Sequence, residues 1–150
     1  MLTEEEVKRI SDYRSNSVGS FSGLFKAPND REAMKIQREG TFVGTALYVA
    51  PEMLEYNNSG RFTDLWALGC IMYQMLVGKT PFHADTKDSV FQKVLDRKFK
   101  FPLDLDKDAV NLIDHLLDYL PENRIGMKSK NPFDAYNEIK EHPYFSDIDW

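Results

Sequence analysis

The segment TFVGTALYVAPEML, residues 41–54, carries the side chains whose types and spacing most suggest chemistry. Two hydroxyl groups, on Thr41 and Thr45, lie four residues apart around Gly44. Each hydroxyl can both donate and accept hydrogen bonds, and glycine lets a backbone turn or approach another group closely. The segment then closes with the letters APE, a proline stop followed by a single acid. This pattern indicates a hinged loop that presents hydroxyl groups.

The histidine and cysteine residues do not indicate a metal or disulfide site in addition to the hydroxyl-bearing loop. The three histidines, His83, His115 and His142, lack the spacing of metal ligands. The single cysteine, Cys70, excludes an internal disulfide and lies in an apolar run, where we expect a buried small hydrophobe. The residues alone therefore favour neither a metal centre nor a disulfide framework.

Composition limits the classes of function. The chain has 150 residues, 42% of them hydrophobic and 13% aromatic, which is enough for one domain with a core. A net charge of −5 gives no basic field for nucleic acid or an anionic membrane. No signal peptide opens the chain, and the longest apolar run is too short to span a bilayer. We therefore expect a cytoplasmic protein without nucleic-acid partners or direct membrane insertion.

The elements that must position the loop are helical. Residues 1–40 are polar and contain SNSVGSFSG, which is typical of a mobile loop, whereas helical periodicity begins after residue 41. The clearest helix runs from Asp64 to Val77, with Thr63 and Asp64 as cap residues and Gly78 as its stop. Only Gln74 is polar after Asp64, and a helix apolar on all sides must be surrounded by protein.

Three further helices follow. They are predicted from about Asp88 to Phe99, from about Asp108 to Leu120, and from Asn131-Pro132 to about Lys140. The middle one has apolar residues at every core-facing position: Ala109, Leu112, Ile113, Leu116, Leu117 and Leu120. We predict an all-helical half that wraps around one buried central helix.

Five short motifs, GTALYVAPE, DLWALGC, GKTPF, PENRIG and HPYF, follow one another between residues 41 and 145. Their order and spacing resemble the C-terminal lobe of a eukaryotic serine/threonine protein kinase. The wordings FVGTALYVAPEML, DLWALGCIMYQMLVG and VFQKVL are most similar to phosphoinositide-dependent kinases of the AGC group. The resemblance implies a mainly α, protein-kinase-like fold that comprises the C-terminal lobe only. Residues 1–150 would be a partial kinase domain, with a hairpin and activation loop in 1–40 and the helical lobe in 41–150.

The resemblance assigns roles to the hinged loop. Thr41 matches the activation-loop phosphosite, where a phosphate would add a charge of about −1.5 to −2; the alternative is an unmodified threonine. Thr45 matches the threonine whose hydroxyl bonds the catalytic aspartate in serine/threonine kinases. Gly44 and Tyr48 would shape the pocket for the substrate residue after the phosphoacceptor, and otherwise they are ordinary turn and core residues.

A second group of matching residues is structural. Ala50, Pro51 and Glu52 form the motif that ends the activation segment, and Glu52 would make a buried ion pair with Arg124. The alternative is two surface charges. Because removal of one partner from a buried pair strands a charge, the resemblance assigns these residues to structure and not to catalysis.

Three residues of the central helix also match the family pattern. Asp64 would reach the backbone of the catalytic loop, cap its own helix, or do both. Trp66 and Gly69 would be packing residues.

The resemblance extends back to LTEEEVKRISDYR, residues 2–14, which is similar to the β-hairpin that leads into the Asp-Phe-Gly motif. Asp12 would then be the magnesium-binding aspartate, and residues 15–40 a long activation loop. Tyr13 in place of Phe is a mild departure, but Arg14 replaces a glycine that allows the backbone to turn. A solvated acidic N-terminus stays open as the alternative.

Other kinase motifs are missing from these 150 residues. There is no Gly-rich loop, no Val-Ala-Ile-Lys strand and no His-Arg-Asp catalytic loop, so no catalytic Asp or Lys is present. ATP and Mg²⁺ are implied for the complete kinase, and neither is expected to bind this chain alone. We also expect poor stability, because the central helix lacks elements that should cover it.

Three functions remain open at this point. The first is a piece of a serine/threonine protein kinase that acts on protein substrates, with other AGC kinases as one class that the resemblance suggests. The second is a non-catalytic, kinase-like (pseudokinase) interaction module. The third, an unrelated helical interaction domain, is disfavoured by the five ordered motifs.

Overall fold

The computed structural model describes Lys8, Asp12 and residues 45–129 and 131–150. The chain divides into two units, residues 1–44 and residues 45–150. Lys8 and Asp12 have helical backbones and exposed side chains. The remainder of the predicted hairpin and activation loop lies outside the described residues.

The described part of the second unit is built from helices and contains no strand. Its α-helices are α1 (Pro51–Tyr56), α2 (Arg61–Val77), α3 (Lys87–Leu95), α4 (Lys107–Leu116) and α5 (Pro132–Lys140). Short 3₁₀ helices occupy Thr45–Tyr48, Pro121–Asn123 and Pro143–Phe145. The expected mainly α fold is confirmed.

The ends of α2 have local causes. The helix begins three residues before the predicted Asp64, because Thr63 reaches back and its Oγ1 accepts a hydrogen bond from the Gly60 N–H at 3.1 Å. Gly78 ends the helix in the left-handed region, with φ 82°, as predicted. Its N–H donates to the Gln74 carbonyl at 2.8 Å.

The predicted end of α3 is wrong, since the helix stops at Leu95 and not at Phe99. Arg97 adopts φ 45°, a left-handed conformation that no helix continues through. Its guanidinium is held by the C-terminal end of α4: it donates to the Leu117 carbonyl at 2.6 Å and the Asp114 carbonyl at 2.9 Å. A contact distant in sequence therefore accompanies the break.

The predicted end of α4 is also wrong, because the helix ends at Leu116 and not at Leu120. The Asp118 carboxylate accepts a hydrogen bond from the Leu120 N–H at 2.9 Å and closes a local turn. The apolar side chains continue inward, so Leu117 and Leu120 are buried although they have left the helix. The start of α5 is confirmed, since the Asn131 side chain caps it by accepting from the Phe133 N–H at 3.1 Å.

The core lies between α2 and α4. A Cβ added at Gly69 would lie 2.9 Å from Leu116 Cβ and 2.9 Å from two Leu117 side-chain atoms, so the two helices approach at a point without a side chain. Residues from α3 and the loops complete the core: Phe82, Val90, Val94 and Ile125. The predicted i, i+3, i+4 set of α4 is buried throughout.

The expectation that α2 is surrounded on all sides is wrong for the described structure. One face is buried, with Leu65, Trp66, Gly69, Cys70, Met72 and Tyr73. The other face is open: Leu68 is 36%, Ile71 45%, Leu76 42% and Met75 76% exposed. The physical reason is that α4 and the aromatic residues of the neighbouring loops pack against one side. The exposed apolar surface expected from the missing covering elements is present.

Among the described residues, we find no helix with the length and apolar character needed to cross a membrane.

Candidate functional site

The candidate site is the platform, which we define as the 3₁₀ turn Thr45–Tyr48, the link to Ala50, and α1. Three small or β-branched residues, Ala46, Val49 and Ala50, anchor it because they are buried in the core. Ala50 is extended, and its carbonyl accepts from the N–H groups of Met53 and Leu54. Pro51 suits the first helical position, where a missing N–H leaves no hydrogen bond unmade.

Tyr48 is held in place by the central helix. Its hydroxyl donates a hydrogen bond of 2.6 Å to Oε1 of Gln74 on α2, and both residues are half-buried. The role of Gln74 was missed by the sequence reasoning. The available signal was its position as the one polar residue after Asp64 in an otherwise apolar helix. Gln74 on α2 therefore fixes the orientation of the Tyr48 side chain in the platform.

Glu52 and Arg124 form the predicted contact in a fully buried setting. The two guanidinium ends donate to the two carboxylate oxygens, Nη1 to Oε1 and Nη2 to Oε2, both at 2.8 Å. Glu52 is 1% exposed and Arg124 is fully buried. Parallel N–H···O bonds of this kind fix geometry as well as charge. We call this pair the clamp.

Arg124 uses every one of its donors. Beyond the clamp, Nε donates to the Asp118 carbonyl at 2.8 Å, Nη1 to the Phe62 carbonyl at 2.7 Å, and Nη2 to the Tyr119 carbonyl at 3.4 Å. A guanidinium has five N–H groups, and these five hydrogen bonds satisfy them. The cation also lies 5.0 Å from the centre of the Trp66 ring, within cation–π range. One side chain thus joins α1, the start of α2 and the loop after α4.

The carboxylate of the clamp has further support. Thr63 Oγ1 donates to Glu52 Oε1 at 3.3 Å, so the residue that reaches back to cap α2 also contacts the clamp. A buried charge is tolerated when it is paired and its remaining hydrogen-bonding capacity is met. Both partners fulfil that condition here.

A second link runs parallel to the clamp one helical turn later. The hydroxyl of buried Tyr119 donates to Glu55 Oε2 on α1 at 2.6 Å. Glu52 and Glu55 therefore present their carboxylates from one helix to the same loop. Sequence reasoning missed this link as well, because neither residue belongs to the quoted motifs.

Two of the three predicted α2 residues are buried and one is exposed. Trp66 is fully buried and stacks on Phe82, with ring centroids 5.3 Å apart and an interplanar angle of 6°. Gly69 is at the close approach to α4. Asp64 is exposed at the start of α2 and does not cap the helix, since the N-cap is Gly60.

Cys70 is a buried apolar side chain, as expected. Removal from water raises the pKa of its thiol to about 12, against a smaller opposing effect of the Arg124 charge. At neutral pH it is a protonated thiol, which is the inert form of cysteine.

Other predicted site residues lie partly or wholly outside the described part. Thr41 and Gly44 are outside it, and Thr45 opens the 3₁₀ turn. Asp12 is described only as helical and exposed. Within residues 45–129 and 131–150, as for Lys8 and Asp12, no group of three or more His, Cys, Asp or Glu is placed to hold a metal ion.

Comparison with known proteins gives independent evidence on the family of this chain. Residues 23–145 match the model of the protein kinase domain. The chain is 39% identical over its whole length to the 3-phosphoinositide-dependent protein kinase 1 of Arabidopsis thaliana, covering 29% of that protein. It is 33% identical over its whole length to the human protein of the same name, covering 24% of it. Over 119 residues, 79% of the chain, it is 40% identical to the probable serine/threonine-protein kinase pdkA of Dictyostelium discoideum and covers 17% of that protein. The chain thus spans less than a third of the length of these relatives.

Proposed function

Since the chain belongs to the protein kinase family, we propose that it is the C-terminal-lobe part of a serine/threonine protein kinase, and that its platform receives the protein substrate. The complete kinase would transfer the terminal phosphoryl group of ATP to Ser or Thr side chains. Similarity to kinases of the AGC group over the whole chain supports this assignment. Other AGC kinases are one proposed class of substrate.

The observation that carries the proposal is the clamp. Phosphoryl transfer needs little covalent chemistry from the protein and depends on positioning and charge neutralisation. A platform fixed by a buried bidentate pair, with Tyr48 held at 2.6 Å by Gln74, can present a substrate in one geometry.

The individual roles follow the family pattern. Thr45 would orient the catalytic aspartate of the complete enzyme, and Gly44 and Tyr48 would line the pocket for the residue after the phosphoacceptor. Phosphorylation of Thr41 would order the segment before the platform by adding charge for an arginine partner. Asp64 is exposed at the N-terminal end of α2, so it is free of the core and available to a catalytic loop.

Kinases of this family generally use ATP and Mg²⁺. The described residues supply no metal cluster, so we assign no step through the metal, and Asp12 stays a prediction. We propose that residues 1–150 alone bind neither ATP nor Mg²⁺ and have no kinase activity.

A non-catalytic kinase-like module is the second candidate, and one sequence observation favours it. Arg14 stands where the family has a glycine that lets the backbone turn. In this alternative the platform would be a binding surface without phosphoryl transfer.

A chimeric kinase tests the proposal. Residues 1–150 would replace the matching segment of the Arabidopsis relative, and incorporation of labelled phosphate into a serine/threonine peptide would be measured. We expect activity, with a loss of at least about a hundredfold for Thr45→Ala, since a displaced catalytic group costs about that much. Thr86→Ala, in the exposed cap of α3, is the matched control and should leave the rate unchanged.

The two candidates give different results. A folded chimera that binds ATP but transfers no phosphate, and that regains activity with Arg14→Gly, would support the non-catalytic module. A folded chimera that stays inactive with Arg14→Gly would contradict the kinase proposal.

A further inference from the structure

A buried histidine, His142, hydrogen-bonds the C-terminal segment, residues 143–150, to α4, and Tyr144 and Phe145 of the segment also pack against the core. His142 is 8% exposed and is the N-cap of the 3₁₀ helix Pro143–Phe145. Its Nδ1 accepts a hydrogen bond from the Tyr144 N–H at 3.2 Å, and its Nε2 lies 2.9 Å from Asn111 Oδ1 on α4. Both ring nitrogens are therefore engaged, one within the segment and one with the helix.

These partners fix the state of the ring. A backbone N–H can only donate, so Nδ1 carries no hydrogen, and Nε2–H donates to the Asn111 side chain. The arrangement requires neutral imidazole. A second proton would have to be placed on Nδ1, where it would face the Tyr144 N–H and leave two donors opposed.

Two titratable groups of α4 act on this ring from outside its own segment. His115 disfavours a positive charge on His142, whereas Asp108 favours it. His115 also donates from Nδ1 to the Asn111 carbonyl at 2.8 Å, so Asn111 lies between the two histidines. Burial is the largest effect and, together with His115, lowers the pKa of His142 below its usual value.

We propose that His142 is a pH-sensitive latch that holds residues 143–150 against α4 when neutral and releases them when protonated. The segment it would release is aromatic: Tyr144 and Phe145 contact each other at 5.0 Å, and Phe145 contacts Trp150 at 5.5 Å. Trp150 in turn donates from Nε1 to the Lys140 carbonyl at 3.2 Å.

The direction of the pH dependence follows from the lowered pKa. The unfolded or released segment binds a proton near the ordinary histidine pKa of about 6.5, whereas the latched state binds it at lower pH. The latch is therefore complete above about pH 6.5 and weakens as the pH falls below that value.

Hydrogen–deuterium exchange of the 150-residue chain tests the latch. Protection of amides 144–150, corrected for intrinsic exchange, would be compared at pH 7.5 and pH 5.5. We expect protection to fall by between about twofold and tenfold at the lower pH, because a released histidine with a pKa near 6.5 can shift the equilibrium by at most about tenfold over this range. The amides of α2 are the internal reference and should keep their protection.

Three variants sharpen the test. His142→Asn supplies an uncharged cap acceptor and should remove the pH dependence while keeping protection. His142→Ala should release the segment at both pH values. His115→Gln removes a repelling neighbour and so brings the pKa of His142 in the latched state closer to that of the released segment. The loss of protection at pH 5.5 should therefore be smaller than in the unaltered chain.

Several results would overturn the latch. One is equal protection of amides 144–150 at the two pH values in the unaltered chain. Another is a pH-dependent loss that persists in His142→Asn, which would assign it to a different group. A loss that extends equally over α2 would show general unfolding in place of a local latch.

Discussion

The two faces of α2 are alike in sequence and opposite in environment. Trp66 and Cys70 on one face are fully buried, while Ile71 and Met75 on the other are 45% and 76% exposed. Hydropathy does not separate them, since every residue from Leu65 to Val77 except Gln74 is apolar or glycine. What separates them is their packing partners: α4 and the aromatic residues of the neighbouring loops lie against the first face, where Arg124 of the clamp also lies over Trp66. The comparison shows that these packing partners, and not apolar character, decide which face belongs to the core.

The largest expected effect on stability comes from removing Arg124, which lies over Trp66 on the buried face of α2. Arg124→Ala leaves the Glu52 carboxylate buried without its partner, and we expect a loss of about 3–5 kcal/mol in the free energy of unfolding. Urea denaturation followed by circular dichroism measures it. Lys128→Ala is the matched control, because Lys128 is exposed and its ion pair with half-buried Glu138 should contribute no more than about 1 kcal/mol. Equal losses in the two variants would refute the special role of the clamp.

A smaller effect is expected at the close approach of α2 and α4. Gly69→Ala adds a Cβ 2.9 Å from Leu116 Cβ and should destabilise the chain by about 1–3 kcal/mol through overpacking. Met75→Ala, on the open face of the same helix, should change stability by no more than about 0.5 kcal/mol. The same denaturation measurement compares them. A neutral or stabilising Gly69→Ala would show that the helices do not approach as described.

The smallest effect on stability belongs to the open face. The triple variant Leu68→Gln, Ile71→Gln and Met75→Gln should change the free energy of unfolding by no more than about 0.5 kcal/mol per site. It should also lower self-association, since exposed apolar patches promote aggregation. Light scattering over a concentration series measures the second quantity. An unaltered chain that stays monomeric at high concentration would contradict the expected liability of this face.

How much the sequence predicts depends on how local each feature is. The start of α5 and the end of α2 were predicted correctly, because Asn131 caps one and Gly78 ends the other through neighbouring backbone groups. The ends of α3 and α4 were not, because Arg97 and Asp118 accompany the end of each helix through contacts and turns that an apolar pattern does not encode.

The candidate site divides in the same way. Glu52 and Arg124 are 72 positions apart, so no spacing rule joins them, and their pairing was expected only from the kinase resemblance. The supporting contacts were not predicted: Gln74 with Tyr48, and Tyr119 with Glu55. Each depends on which side chains the packed helices bring together.

The most direct test of the account is a double-mutant cycle on the clamp, measured in the triple-glutamine background to limit self-association. Glu52→Gln, Arg124→Met and the double variant would be compared with the parent by urea denaturation. The clamp predicts that the double variant loses less free energy of unfolding than the two single variants added together, by about 2–3 kcal/mol. The reason is that neither charge is then left buried without a partner. Additive losses, with a coupling energy within about 0.3 kcal/mol of zero, would contradict the claim that this buried pair holds the platform on the central helix.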